Sequence, residues 1–144
     1  LIVVPSRVAR ATLDILRSCG SGRRECIVYW TALEGSDSVA RVVHPRHAAT
    51  WGSVEVDGAW ATEFFLDLPE RGERTVAQVH IHPGSRVAHS ATDDDHVLVP
   101  VPGFVSIVLP DFGLRELLDG SGIWELARDG SWRAAAEEIE WEID

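Results

Sequence analysis

The segment from Thr75 to His82 reads Thr-Val-Ala-Gln-Val-His-Ile-His and is broken off by Pro83-Gly84. A β-branched run stopped by a residue that cannot continue a ladder is a strand with an abrupt exit. Side chains two apart on a strand point to one face, so His80 and His82 present two imidazoles side by side. Any fold for this chain must give that strand face something for two imidazoles to do. Zinc suits them, since it takes nitrogen ligands at ~2.0–2.1 Å. A helix opening near Ser90 would return Asp93 as a third ligand. Three protein ligands leave one position for water, the mark of a catalytic site, and no Cys lies in this segment to close the site with thiolate. Taken singly the parts have plainer readings: Ser90-Ala91-Thr92-Asp93 is a capping box, and Asp93-Asp94-Asp95 an acidic helix start. The joint spacing, His-x-His-x7-Ser-x2-Asp, is what points to a metal.

The remaining pattern predicts a mixed α/β domain. Residues 6–19 form a helix with Val8, Ala11/Thr12, Ile15 and Cys19 on one face and Gly20 as its stop. Residues 25–30 read as a buried strand, and residues 39–44 as another, ended by Pro45. Val54 and Val56 make a short strand or a loop. Trp60, Phe64 and Leu68 recur every four residues, which predicts a helix over 59–68 that Pro69 terminates. Residues 105–109 are a further apolar strand, and Asp129-Gly130 joins two runs as a hairpin. Ile139, Trp141 and Ile143 alternate with Glu138, Glu140 and Glu142, the pattern of a half-exposed strand. Without repeat or linker, the 144 residues are expected to form a single domain, 1–144.

Charge and composition exclude several function classes. A net charge of −10 argues against nucleic acid and against an acidic membrane surface as partners. No apolar run approaches the ~20 residues a bilayer requires. There is no basic segment followed by an apolar one at the start, which favours a cytoplasmic protein. Leu1 is not a natural start, so a native N-terminus or preceding region is expected ahead of it. Cys19 and Cys26 have the option of bridging, but two cysteines are no disulfide framework, and the expected state is two small reduced core residues. His44, His47 and His96 are assigned surface or supporting roles, and His89, beside Ser90, a place lining the cleft. The six tryptophans are mostly packing, with one or two available as exposed anchors for a protein partner. All 13 basic residues are Arg. Codon use in a GC-rich genome accounts for this, and so does selection against acceptor amines in an enzyme that works beside a conjugation system.

His80-x-His82-x7-Ser90-x2-Asp93, with Glu25 on an upstream strand, resembles the JAMM (JAB1/MPN+) metalloproteases, and within them the bacterial and other prokaryotic JAB-type proteins. The likeness extends over most of the chain. It implies the JAMM/cytidine-deaminase-like α/β fold, a mixed curved sheet flanked by helices. It implies one Zn2+ per chain on His80, His82 and Asp93, Glu25 as the base acting on the attacking water, and Ser90 as donor to the oxyanion. The substrate implied is a ubiquitin-like β-grasp protein cut at its C-terminus, with activating and conjugating enzymes of the same system as further partners. Relatives that release an amino acid such as cysteine from a sulfur-carrier protein supply a second reading, and non-catalytic scaffolds of the wider family a third. Many members carry Gly three residues after the acid, where this chain has Val28, and Glu34 is the runner-up for the base. A cupin would need Glu shortly after the second His. A metallo-β-lactamase would need Asp-His where Gly84-Ser85 stand, and a nucleoside deaminase would need Pro-Cys-x-x-Cys.

Overall fold

The computed structural model describes residues 1–87, 99–113 and 120–142. Its centre is a six-stranded sheet in the order β3-β2-β6-β7-β8-β9. These strands are β2 (Ile27–Leu33), β3 (Val39–Val43), β6 (Glu73–Ile81), β7 (Val105–Leu109), β8 (Gly122–Leu126) and β9 (Trp132–Ala134). All neighbouring pairs are antiparallel except β6 and β7, which run parallel, so the sheet is mixed as expected. Two small pairs complete the β-structure. β1 (Ile2–Val4) lies parallel to β10 (Ile139–Trp141), and β4 (His47–Ala49) forms a hairpin with β5 (Val54–Val56).

The period-two alternation of β2 and β6 divides the core between two helices. Val28 and Trp30 of β2, with Ala77, Val79 and Ile81 of β6, join Val8, Leu13 and Leu16 of α1 (Ser6–Gly20). Ile27 and Tyr29, on the opposite face, meet Phe64 and Leu68 of α2 (Gly58–Arg71). Tyr29, Trp60 and Phe64 stack there with ring centroids 4.9–6.4 Å apart. Burial pushes the Tyr29 phenol far above its ordinary range, so it serves as a neutral packing group. On the α1 side Trp30 Nε1 donates to Thr12 Oγ1 at 2.9 Å, satisfying the one polar atom of a fully buried indole.

Several expectations need correction. The buried stripe of α1 runs Val8, Thr12, Leu16 and Gly20, leaving Ile15 and Cys19 at its edge. Gly20 is the last helical residue, not the stop; Ser21 takes the left-handed conformation at φ 53°. What Gly20 supplies is room, since a Cβ there would stand 2.6 Å from Ile81 Cδ1. Pro69 does not end α2 but sits in its last turn, where its missing N–H leaves one carbonyl of the preceding turn without its helical donor, and Gly72 caps the helix at φ 64°. β1 and β4 were not foreseen, because three-residue strands carry too little pattern to recognise. The two cysteines are not reduced: Cys19 and Cys26 are bonded to each other. The α1–β2 turn returns the chain to within reach, with their Cα atoms 6.1 Å apart.

Candidate metal centre

His80 occupies the penultimate position of β6 and His82 follows its end, both on the α2 face and both buried. Their Nε2 atoms lie 3.1 Å apart. His82 Nδ1 is 3.2 Å from the Arg86 carbonyl. A carbonyl only accepts, so the ring proton sits on Nδ1 and the Nε2 of neutral His82 presents a bare lone pair. That is the tautomer a metal-binding histidine needs, and the carbonyl is the usual outer partner that fixes it. Two nitrogens bound to one zinc at ~2.0–2.1 Å with a tetrahedral angle stand roughly 3.3 Å apart. The pair therefore fits a metal ion by donor type and separation, and His82 by its tautomer.

The loop geometry around the pair is held by backbone hydrogen bonds. His82 N–H donates to the Leu109 carbonyl at 2.9 Å and the His82 carbonyl accepts from Phe112 N–H at 2.8 Å. Asp111 and Phe112 both take positive φ, 54° and 55°. Strained backbone of this kind persists where the surroundings over-determine it, commonly beside functional groups. Further along the same strand face, buried Gln78 donates to buried Ser106 at 3.0 Å, so polar groups line this side of β6 and β7.

Glu25 comes to the same end of the sheet. Ile27 is registered against His80, and Ile81 N–H donates to the Cys26 carbonyl at 3.2 Å, so the antiparallel register carries Glu25 beside His82. Glu25 is only 4% exposed, and its N–H donates to the Thr50 carbonyl of the β4–β5 turn at 2.9 Å. Glu34 is exposed just beyond the other end of β2, with its N–H on the Gly72 carbonyl. The fold thus puts Glu25 at the His80–His82 end of the sheet and Glu34 at the other. Ser90 and Asp93, with His89 and His96, lie outside the described residues.

His44 and His47, assigned minor roles by the sequence, instead converge on the Cys19–Cys26 pair. Desolvation at this corner, and then the neighbouring His47 charge, hold His44 below the usual imidazole range. Trp51, in the turn between β4 and β5, is 66% exposed. A cavity of about 540 Å³ lined by Ile2, Phe65, Thr75 and Phe104 lies toward the start of β6, away from the histidines. Among the described residues no helix is long and apolar enough to cross a membrane.

No family model matches the chain. A probable metalloprotease from Sinorhizobium fredii is 34% identical over 110 residues, which span 72% of this chain and 67% of that protein. Among solved structures, a Desulfitobacterium hafniense protein superposes with a TM-score of 0.71 at 14% identity, covering 100% of this chain and 94% of its own. A JAB1/MPN domain protein from Archaeoglobus fulgidus gives 0.59 at 13% identity, covering 98% and 97%. A JAMM structure, solved as a metalloprotease-like zinc site in the proteasome and signalosome, gives 0.55 at 13% identity, covering 99% of each chain. At such identities the solved structures speak for the fold alone.

Proposed function

This chain belongs to the JAMM (JAB1/MPN+) metalloprotease family, and from that premise we propose that it hydrolyses a peptide or isopeptide bond at the C-terminus of a ubiquitin-like β-grasp protein. The observation that carries the reading is the buried His80–His82 pair, Nε2 to Nε2 at 3.1 Å, with buried Glu25 at the same end of the sheet. His80, His82 and Asp93 would hold one zinc. When bound, that ion supplies Lewis acidity and lowers the pKa of water to about 7.

The protein's own groups supply the rest. Glu25 takes the proton of the attacking water and passes it to the leaving amine, the two transfers that amide hydrolysis demands. Its burial keeps the carboxylate in a low-dielectric setting, where its interaction with the reacting atoms is strong. Ser90 donates its hydroxyl to the oxyanion that forms on the scissile carbonyl. The Arg86 carbonyl keeps His82 in the ligand tautomer throughout. Trp51 favours a folded protein as substrate. It follows Thr50, whose carbonyl holds the Glu25 N–H, so a large exposed aromatic stands beside the backbone that places the base.

The test uses a β-grasp protein extended through its terminal glycine and a branched isopeptide conjugate of the same protein. Mass spectrometry of the products locates the cut. Cleavage at the β-grasp C-terminus by the parent chain, lost in His80→Ala and in Glu25→Gln, is expected. Equal cleavage of unstructured peptides would overturn the substrate class. Release of a single amino acid from a sulfur carrier alone would transfer the reading to carrier processing.

A further inference from the structure

One residue along from Glu25 a second set of metal-binding atoms converges. One ligand atom each of Cys19, Cys26, His44 and His47 lies within 4.8 Å of all the others. The four residues come from the last turn of α1, the approach to β2, the exit of β3 and the start of β4. His47 Nε2 stands 3.3 Å from Cys19 Sγ, and His44 Nε2 stands 3.3 Å from Cys26 Sγ. Each imidazole thus addresses its own sulfur.

The disulfide does not explain this arrangement. Its sulfurs are uncharged and weak acceptors, and the neutral form of His47 has no Nε2 proton to offer them. His47 Nδ1 lies 2.9 Å from the Pro45 carbonyl, an acceptor only, so the ring proton is on Nδ1 and the Nε2 facing sulfur is a bare lone pair. An imidazole oriented through Nδ1–H to a backbone carbonyl, with Nε2 turned toward a cysteine sulfur, has the arrangement of a metal-ligating histidine. Zinc bonds of ~2.3 Å to sulfur and ~2.0–2.1 Å to nitrogen, at a tetrahedral angle, set sulfur and nitrogen roughly 3.5 Å apart. The observed 3.3 Å separations are close to that edge.

We propose that Cys19, Cys26, His44 and His47 form a Cys2His2 zinc site, filled when the two cysteines are reduced and emptied when they are joined. This site is separate from the His80–His82 centre and does not rest on the reading of that centre. Its chemistry balances as a two-electron exchange. A dithiol reductant gives two electrons and two protons to the Cys19–Cys26 bond and becomes its own disulfide. Zn2+ then displaces the two thiol protons to solvent, forming two zinc–sulfur and two zinc–nitrogen bonds. A small disulfide oxidant such as glutathione disulfide reverses the step, re-forming the protein disulfide and releasing Zn2+ as it takes two protons from solvent and is reduced to two thiols. A filled site would tie the end of α1 and the Glu25 segment to the β3–β4 corner.

The test is cobalt spectroscopy on the full chain, reduced with a dithiol and loaded with Co2+. Thiolate ligation gives a sulfur-to-cobalt charge-transfer band, which a centre made of His80, His82 and Asp93 has no sulfur to produce. The band is expected in the parent and in His80→Ala, and should disappear when glutathione disulfide is added. His44→Ala and His47→Ala should weaken Co2+ binding at this site by more than the ~10–100-fold that loss of an outer partner costs. His44 is exposed, so its replacement leaves the fold intact. With zinc, the reduced parent should hold one ion per chain more than the oxidised parent. A reduced parent without the band, or a band equally tight in both histidine variants, would overturn the proposal. Either result would leave a His80-dependent metal, and the function assigned to it, untouched.

Discussion

Glu25 and Glu34 flank β2 at opposite ends, and only Glu25 lies at the end where β6 carries the histidines. Glu25→Gln should retain metal while lowering hydrolysis by ~10²–10⁴-fold, the usual contribution of a general acid–base group. Glu34→Gln should cleave at the parent rate. Steady-state rates on the same β-grasp conjugate, with metal content measured in parallel, check both. The His80-x-His82 pair was legible because a strand has one periodicity and both residues fall on it. Glu25 was harder, since nothing local ties it to His82; the family likeness marked it and the register placed it. The Cys19, Cys26, His44 and His47 cluster was not legible at all. Six residues separate the cysteines and seventeen separate Cys26 from His44, a spacing unlike the short ligand intervals of familiar zinc modules. Only the pairing of β3 against β2, with the β4–β5 hairpin folded over their ends, brings the four together.

At the scale of elements, the site depends on how closely strands and loops approach. Gly122 opens β8, and a Cβ there would lie 2.4 Å from the Val87 carbonyl oxygen and 2.9 Å from Val87 Cβ. That carbonyl already accepts from Trp124 Nε1 at 2.9 Å, and its neighbour Arg86 holds the His82 ring. Gly122→Ala must therefore displace backbone rather than a flexible tip. The expected cost is about 1–3 kcal/mol in chemical denaturation, the range for overpacking, with weaker metal binding at His82 in a zinc titration. Thr12→Val tests the other face. It keeps the shape of the α1 contact but strands the Trp30 N–H in a fully buried position. A loss of about 1–3 kcal/mol is expected from the unsatisfied donor, with hydrolysis at the parent rate, because Thr12 touches only the structural core. Patterning foretold the two helices and the long strands that these contacts join. The positions of Gly20 and Gly122 as close-approach sites were invisible, since both are set by side chains and backbone far away in sequence.

For the molecule as a whole, the distribution of charge sets up a final expectation. Every basic side chain is Arg in a chain of net charge −10. A guanidinium stays protonated and is no isopeptide acceptor, whereas a lysine amine is one. An enzyme that removes β-grasp modifiers beside the machinery attaching them would therefore be shielded from that machinery by its own composition. Arg71, Arg86 and Arg128 are all exposed, so replacing them by Lys keeps the charge and leaves the core untouched. Arg71 pairs with Asp67 one turn earlier on α2, an exposed contact that a lysine can replace. The triple variant, placed in a Glu25→Gln background so that self-cleavage cannot erase the product, would be co-expressed with the activating and conjugating enzymes of a β-grasp system. Modified forms of the Lys variant, and none of the lysine-free parent, are the expected result by mass spectrometry. If the Lys variant stays unmodified while other proteins in the same cells carry the modifier, the absence of lysine is codon usage and protects nothing.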